Sequence, residues 1–452
     1  RDHPEVLALE AHATTPVHVI STVEEAKAVA PAGSVSVLAQ TTFHKQLFDA
    51  IVAVLRERFP GCTVYDSICT ATEERQQEAR RLAQQADVLV VVGGKHSANT
   101  RRLAEVGRET GTPTFHVETA PELDPAHFRD ARTVAVTAGA STPGWLTQQV
   151  IDRLETFGGA DLFSRLRSAA RVAAHARLST AAGAAALTHA VGRLVTGVPP
   201  PWESMALVAA FVFVAYTCNR REPPEDNARF LLPVDRFYRE HRRLLVACAG
   251  AALVGSLVLA AFVGPAAVSL MSFAYAGAVL YAFPVLPAGF SRRRLKDLPA
   301  SKDLLVAAAW AVVLVGAIAV VGSSAPPWDR MLAAGTVVFL LVLAKTVMLD
   351  LRDIESDHLI GLETFPILIG YDRAVRMLYA VHLGLCALAL VLGLVVFESG
   401  FSLAFGLVPL YGAAALPLLT RSQFRGEAHC QLVIDGQLFF AGGLSLAWEA
   451  LA

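Results

Sequence analysis

The 452 residues are 54% hydrophobic and 17% charged, with a mean hydropathy of +0.46, which is too apolar for one water-soluble domain and too long for one core. A formal net charge of −1 excludes the basic excess of a nucleic-acid binder and the acidic excess of a disordered tail, so no nucleic-acid partner is expected. Charge is uneven along the chain: residues 1–175 hold 39 of the 79 charged side chains and the other 277 residues hold 40, which separates a polar front from a membrane-embedded rear.

Six scattered cysteines (Cys62, Cys69, Cys218, Cys248, Cys386 and Cys430), with no CxxC pair, read as reduced thiols and place the front half in the cytoplasm. The sequence begins at Arg1 rather than Met and shows no basic-then-apolar leader. It is expected to be part of a longer gene product.

Between residues 35 and 157, short β-rich runs alternate with amphipathic stretches. VSVLAQ precedes TFHKQLFDAIVAVLRERF, TVYDSI precedes ATEERQQEARRLAQQ, and DVLVVV precedes HSANTRRLAEVGRE; PTFHVE and RTVAVTAGA open two further rounds. This is βαβ punctuation with about five strands, and it predicts a mostly parallel, doubly wound α/β sheet.

In such sheets chemistry collects beyond the carboxyl ends of the strands. Gln40, Thr41 and Thr42 end the first strand, Gly93, Gly94, His96, Ser97 and Asn99 follow the third, and Gly139, Ser141 and Thr142 precede Pro143 after the fifth. Small and hydroxyl residues at helix N-termini suit a phosphate, which free backbone N–H groups and the helix dipole favour. Ordinary N-capping by Ser, Thr and Asn is the better account of any one such turn; three on one sheet edge shift the weight toward a shared oxyanion. A lone cysteine such as Cys69 is more often a small buried residue than a metal ligand.

HPEV (3–6), AQTTF (39–43), Cys69 in ICTATEERQ, VVGGKHSANT (91–100) and VTAGASTP (136–143) resemble, in order and spacing, the 4-hydroxy-3-methylbut-2-enyl diphosphate reductase family over residues 1–157. The resemblance implies reductive dehydroxylation of that substrate to isopentenyl and dimethylallyl diphosphates at a [4Fe-4S] cluster held by three cysteines, with electrons from a donor such as ferredoxin or flavodoxin. By motif it makes Cys69 a cluster ligand and Glu5 the proton-delivering carboxylate. It makes His3, Thr41, Ser97, Asn99 and Ser141 the substrate and diphosphate cradle. The sequence departs from the family at His96, Ala98, Ala8 and Ala11, and it lacks the segment carrying the other two cluster cysteines; Cys62 matches no ligand position.

After an expected linker at 158–175, long apolar runs near the roughly 20 residues needed to cross a bilayer begin at about 178. They predict an all-α polytopic bundle over 176–452 with about nine spans, near 178–197, 202–218, 244–263, 265–284, 303–322, 329–349, 375–397, 402–420 and 434–451. Arg220, Arg221, Arg229, Arg236, Arg239, Arg242 and Arg243 crowd one loop, and Arg292, Arg293, Arg294, Lys296 and Lys302 another. The excess of Lys and Arg places both loops, and with them the N-terminal domain, on the cytoplasmic side of a bacterial inner membrane.

At the cytoplasmic end of the sixth run, Asp350, Asp353 and Asp357 fall at i, i+3 and i+7 and share one helical face. Hard oxygen ligands at this spacing suit Mg²⁺ with substrate phosphates; a solvated helix end paired with Arg352 is the alternative. The longer string, with Gly361, Thr364 and Pro366, resembles the second aspartate-rich motif of the UbiA prenyltransferase superfamily. That resemblance implies a prenyl diphosphate bound through Mg²⁺ at two acidic motifs, with Asn219 in the first and Arg293 and Lys296 in a basic diphosphate-binding loop. The first motif departs from the family, since CNRREPPEDNARF holds Glu222, Asp226 and Asn227 out of register around Pro223 and Pro224. A Mg²⁺-dependent prenyltransferase, a prenyl-diphosphate-binding anchor without transfer activity, and an isoprenoid transporter all stay open.

Overall fold

The computed structural model describes residues 4–30, 35–41, 43–68, 70–157, 162–219, 233–282, 295, 301–322, 326–360, 364–420 and 427–451. Residues divide into two units, Arg1–Gly159 and Ala160–Ala452.

In the first unit, α1 (Pro4–His12) and α2 (Val23–Ala28) precede β1 (Ser36–Val37), α3 (Lys45–Arg58) and β2 (Thr63–Val64). Thr22 caps α2, its hydroxyl accepting from Glu25 N at 3.2 Å. The spacing of Phe48, Ile51, Val52 and Leu55 puts one apolar stripe of α3 against Ala26, Val37, Ala39 and Ile68. Next come α4 (Thr70–Gln85), β3 (Val88–Val92), α5 (Ala98–Glu109), β4 (Thr114–Val117), β5 (Val134–Ala138) and α6 (Gly144–Glu155). Every residue of β3 is buried. Leu89 and Val91 meet Ala79, Ala83, Leu103 and Val106 of α4 and α5, while Val88, Val90 and Val92 meet Val150 of α6. Covering both faces is why this strand reads as a continuous apolar run.

The single five-strand sheet predicted from the sequence is not what forms among the described residues. β1 pairs with β2 in one parallel sheet, and β3 sits between β4 and β5 in another. Alternating strand and helix patterns fix how many strands there are and their parallel sense, but not which strand pairs with which.

Asp87 ties the starts of β3 and β5 together. Its carboxylate accepts from Thr133 N at 2.8 Å, Thr133 Oγ1 at 3.0 Å and Arg132 N at 2.9 Å. The Thr133 amide and hydroxyl, then the Arg132 amide, hold this carboxyl below the ordinary aspartate range. A depressed folded-state pKa contributes stability above the unfolded value that is lost as pH falls through the folded one. Asp87→Asn is therefore expected to flatten the decline of the first unit's melting temperature below about pH 4, followed by circular dichroism; an unchanged acid slope would show that Asp87 is not the titrating group.

The second unit is helical: α7 (Leu162–His175), α8 (Leu178–Thr196), α9 (Trp202–Cys218), α10 (Pro233–Val263), α11 (Pro265–Ala282), α12 (Ser301–Val321), α13 (Trp328–Ile360), α14 (Phe365–Ile369), α15 (Tyr371–Leu392), α16 (Gly400–Phe405), α17 (Leu407–Thr420) and α18 (Glu427–Leu451). The stretch expected as a linker holds the amphipathic α7, which packs on α8, α10 and α18. Among the described residues, seven helices are long and apolar enough to cross a membrane, and α9 is a shorter apolar helix. The two expected spans without such support are 178–197 and 202–218. Ala, Gly and Thr dominate α8, which also carries His189 and Arg193 and is buried over most of its length. A helix packed inside a bundle needs small side chains rather than lipid-facing Leu. Gly442 of α18 illustrates this, because a Cβ there would lie 2.7 Å from Ala186 Cβ.

Candidate functional sites

Four residues beyond β1, Thr41 meets Glu5 of α1. Thr41 N donates to Glu5 Oε1 at 3.0 Å and Thr41 Oγ1 to Oε2 at 3.2 Å. Ser67 fixes the neighbouring turn, accepting from Ala39 N at 2.8 Å and donating to Ala39 O at 2.6 Å. Two residues singled out from separate motifs are thus brought into contact, with a carboxylate held beside a hydroxyl. His3 and Cys69 lie outside the described residues.

The second edge lies beyond β3 and β5. Ser97 caps α5, its Oγ accepting from Thr100 N at 3.4 Å. Thr142 donates to Val92 O at 3.1 Å and closes the turn that carries exposed Ser141. Asn99 Oδ1 and Thr100 Oγ1 are buried with no hydrogen-bond partner among the described residues. Ser97 therefore caps, as the simpler reading expects, while the polar atoms after it are left with acceptor capacity. Thr100 was not singled out in the sequence; its position three residues after a capping Ser is the signal that could have found it. Glu5 of α1 meets Thr41 after β1, which belongs to the β1–β2 sheet, whereas Ser97, Asn99 and Ser141 follow strands of the β3 sheet, so they do not share one sheet edge.

In the helical unit Asp350 of α13 is fully buried, and Lys302 at the start of α12 donates to its Oδ1 at 2.5 Å. Asp303, 1% exposed, faces the same carboxylate. Both oxygens of Asp303 and Oδ2 of Asp350 have no hydrogen-bond partner among the described residues; Thr346, near Asp303, gives its hydroxyl to Leu343 O at 2.9 Å. Asp353 is gripped by its neighbour, Arg352 Nε to Oδ1 at 2.6 Å and Nη2 to Oδ2 at 2.5 Å. Asp350 and Asp353 thus hydrogen-bond to different cations, while Lys302 also acts on Asp353 at longer range. The side chain of Asp357 and the residues Arg293 and Lys296 lie outside the described residues, and Asn219 is the C-cap of α9.

Sequence reasoning also missed a polar network inside the bundle. Lys345 Nζ lies 3.0 Å from Asp435 Oδ1, both side chains fully buried. Asp435 Oδ2 accepts from Ser179 Oγ and Thr180 Oγ1 at 2.9 Å and from Gln431 Nε2 at 3.0 Å. Gln431 Oε1 in turn accepts from Arg177 at 2.7 Å and Arg352 at 3.4 Å. Isolated polar residues within separate apolar runs give no hint that they meet across α8, α13 and α18.

Two buried carboxylates with free oxygens beside one ammonium fit a hard divalent cation, which takes one or two carboxylates and completes its shell with water or phosphate. A four-iron cluster does not fit the residues present. The first unit has only Cys62 and Cys69, fewer thiolates than the three such a cluster draws from the reductases it resembles.

Residues 1–155 match the family model of the LytB protein, and residues 238–433 match the UbiA prenyltransferase family. A 4-hydroxy-3-methylbut-2-enyl diphosphate reductase of Geobacter sulfurreducens is 45% identical over 159 residues, covering 34% of this chain and 55% of that protein. That of Solidesulfovibrio magneticus is 50% identical over 157 residues, covering 34% and 54%. The chain spans about half the length of the curated relatives it matches. A solved UbiA homolog from Archaeoglobus fulgidus bound to GPP and Mg²⁺ is 17% identical with a TM-score of 0.41, covering 61% of this chain and 99% of that one. The chain therefore carries a LytB domain in its N-terminal part and a UbiA prenyltransferase family domain in its C-terminal part.

Proposed function

We propose that both parts act on prenyl diphosphates in isoprenoid biosynthesis. The N-terminal part belongs to a 4-hydroxy-3-methylbut-2-enyl diphosphate reductase facing the cytoplasm at a bacterial inner membrane, reduced by a ferredoxin- or flavodoxin-like donor. The C-terminal part is a multi-pass domain that binds a prenyl diphosphate through Mg²⁺. The first reading is supported by 45% identity to the Geobacter reductase and by the Glu5–Thr41 contact, which sets a carboxylate able to hold and deliver a proton beside a hydroxyl. Ser97, Asn99 and Ser141, with His3, are the residues we assign to the diphosphate.

The observation that carries the second reading is buried Asp350, with one oxygen on Lys302 and the other free. Asp350 would hold the cation, with Asp353 and Asp357 completing the acidic end of α13, while Lys302, Arg293 and Lys296 take diphosphate oxygens and Asn219 stands at the first motif. The bound cation would stabilise negative charge on the departing diphosphate. The side chains themselves bind, orient and neutralise, in a site where low dielectric strengthens each charge interaction. The test is Mg²⁺-dependent binding of geranyl diphosphate to the whole chain in detergent. Asp350→Asn is expected to weaken it at least tenfold, and equal binding by both proteins would leave this part an anchor or an unrelated transporter.

A further inference from the structure

We infer that Asp303 is a second carboxylate ligand of the cation at Asp350, so that the site takes up a divalent cation before any diphosphate arrives. The inference rests on the reading of Asp350 as a metal position given above.

Asp303 belongs to neither aspartate-rich stretch. It follows Lys302 in a segment that reads as basic, yet it is 1% exposed, both its oxygens are unpartnered, and it lies beside Asp350, whose Oδ2 is also unpartnered. The described charges of this cluster are the Asp303 and Asp350 carboxylates, the Lys302 ammonium, which sits on Asp350 Oδ1 and also acts on Asp353, and the Arg352–Asp353 pair, which balances itself. That leaves one negative charge and three acceptor oxygens without donors, where burial makes each expensive. A proton shared between the two carboxyls would satisfy two of the three oxygens, and the third would have to draw the Thr346 hydroxyl off Leu343 O. A divalent cation can engage all three, and two carboxylates from different helices leave the rest of an octahedral shell to water and phosphate. Lys302, on the same carboxylate, stands where an incoming diphosphate would need a positive charge.

The measurement is Mn²⁺ titration of the full 452-residue chain in detergent, read by loss of the free-ion paramagnetic resonance signal without diphosphate. The expected result is one bound Mn²⁺ per chain, weakened at least tenfold by Asp303→Asn and by Asp350→Asn, with the melting temperature of Asp303→Asn held or raised because an uncompensated buried charge is gone. Binding that Asp350→Asn removes and Asp303→Asn leaves intact overturns the inference while the reading of Asp350 stands. Absence of Mn²⁺ binding until geranyl diphosphate is added, as a shared proton would give, overturns it in the same way. No binding even with geranyl diphosphate removes both. Should Asp303→Asn fail to fold, Asp303→Glu keeps the charge but displaces the carboxylate. A shifted Mn²⁺ affinity at an unchanged melting temperature then supports the ligand role, and an unshifted affinity overturns it.

Discussion

Lys345→Met is expected to destabilise the helical unit by roughly 3–5 kcal/mol, the range for breaking one side of a buried ion pair. Methionine matches the lysine stem in length and would keep its packing near Trp310, over which the ammonium sits 5.9 Å from the ring centre. What it removes is the charge 3.0 Å from Asp435 Oδ1, and both side chains are fully buried. The other oxygen keeps its bonds from Ser179, Thr180 and Gln431, so the carboxylate stays in place with its charge uncompensated. Lys345→Met with Asp435→Asn should recover most of the loss, because a neutral amide still offers its carbonyl and N–H groups to the same hydroxyls and Gln431. Thermal unfolding in detergent measures both. A single variant that melts with the wild type would mean that the pair contributes nothing net. The effect should reach the acidic end of α13, since Gln431 also holds Arg352, which grips Asp353.

Most of the architecture is legible in the sequence because it depends on local patterns. The apolar run of β3, the stripe of Phe48, Ile51, Val52 and Leu55, and the long apolar helices all follow from periodicity. What escaped depends on contacts between distant segments. β1 and β2 leave the main sheet because pairing is decided in space, and the small side chains of α8 find their partners only once the helices pack. The sites divide in the same way. Glu5 and Thr41 were legible from their motifs, and the structure adds that they touch. Asp350 was legible from its spacing, but its acidic neighbour Asp303 comes 47 positions earlier, hidden in a stretch that reads as basic. Lys345 and Asp435, each a lone charge in an apolar run, acquire meaning only once α13 and α18 pack together.

Gly93→Ala should disable the β3 edge of the first unit at a cost of about 2–6 kcal/mol, combining two separate penalties. Gly93 has φ +142°, in a region that side chains occupy at about 1–3 kcal/mol. Its Cβ would also stand 2.4 Å from Thr142 Oγ1 and 3.0 Å from Thr100 Oγ1, an overpacking penalty of about 1–3 kcal/mol. Thr142 cannot yield without giving up its bond to Val92 O, and moving it drags the turn that carries Ser141. Thr100 cannot yield without shifting the start of α5, where Ser97 and Asn99 sit. Adding Thr142→Ala removes the closer clash but leaves the backbone strain, so the double variant should recover part of the loss and no more. Hydrogen exchange of the β3 and β5 amides in the whole chain, together with the melting temperature, separates the two penalties. Full recovery in the double variant would place the whole cost in the side-chain clash, and wild-type protection in Gly93→Ala would mean that this edge tolerates a side chain and is not built around the close approach of Thr100 and Thr142.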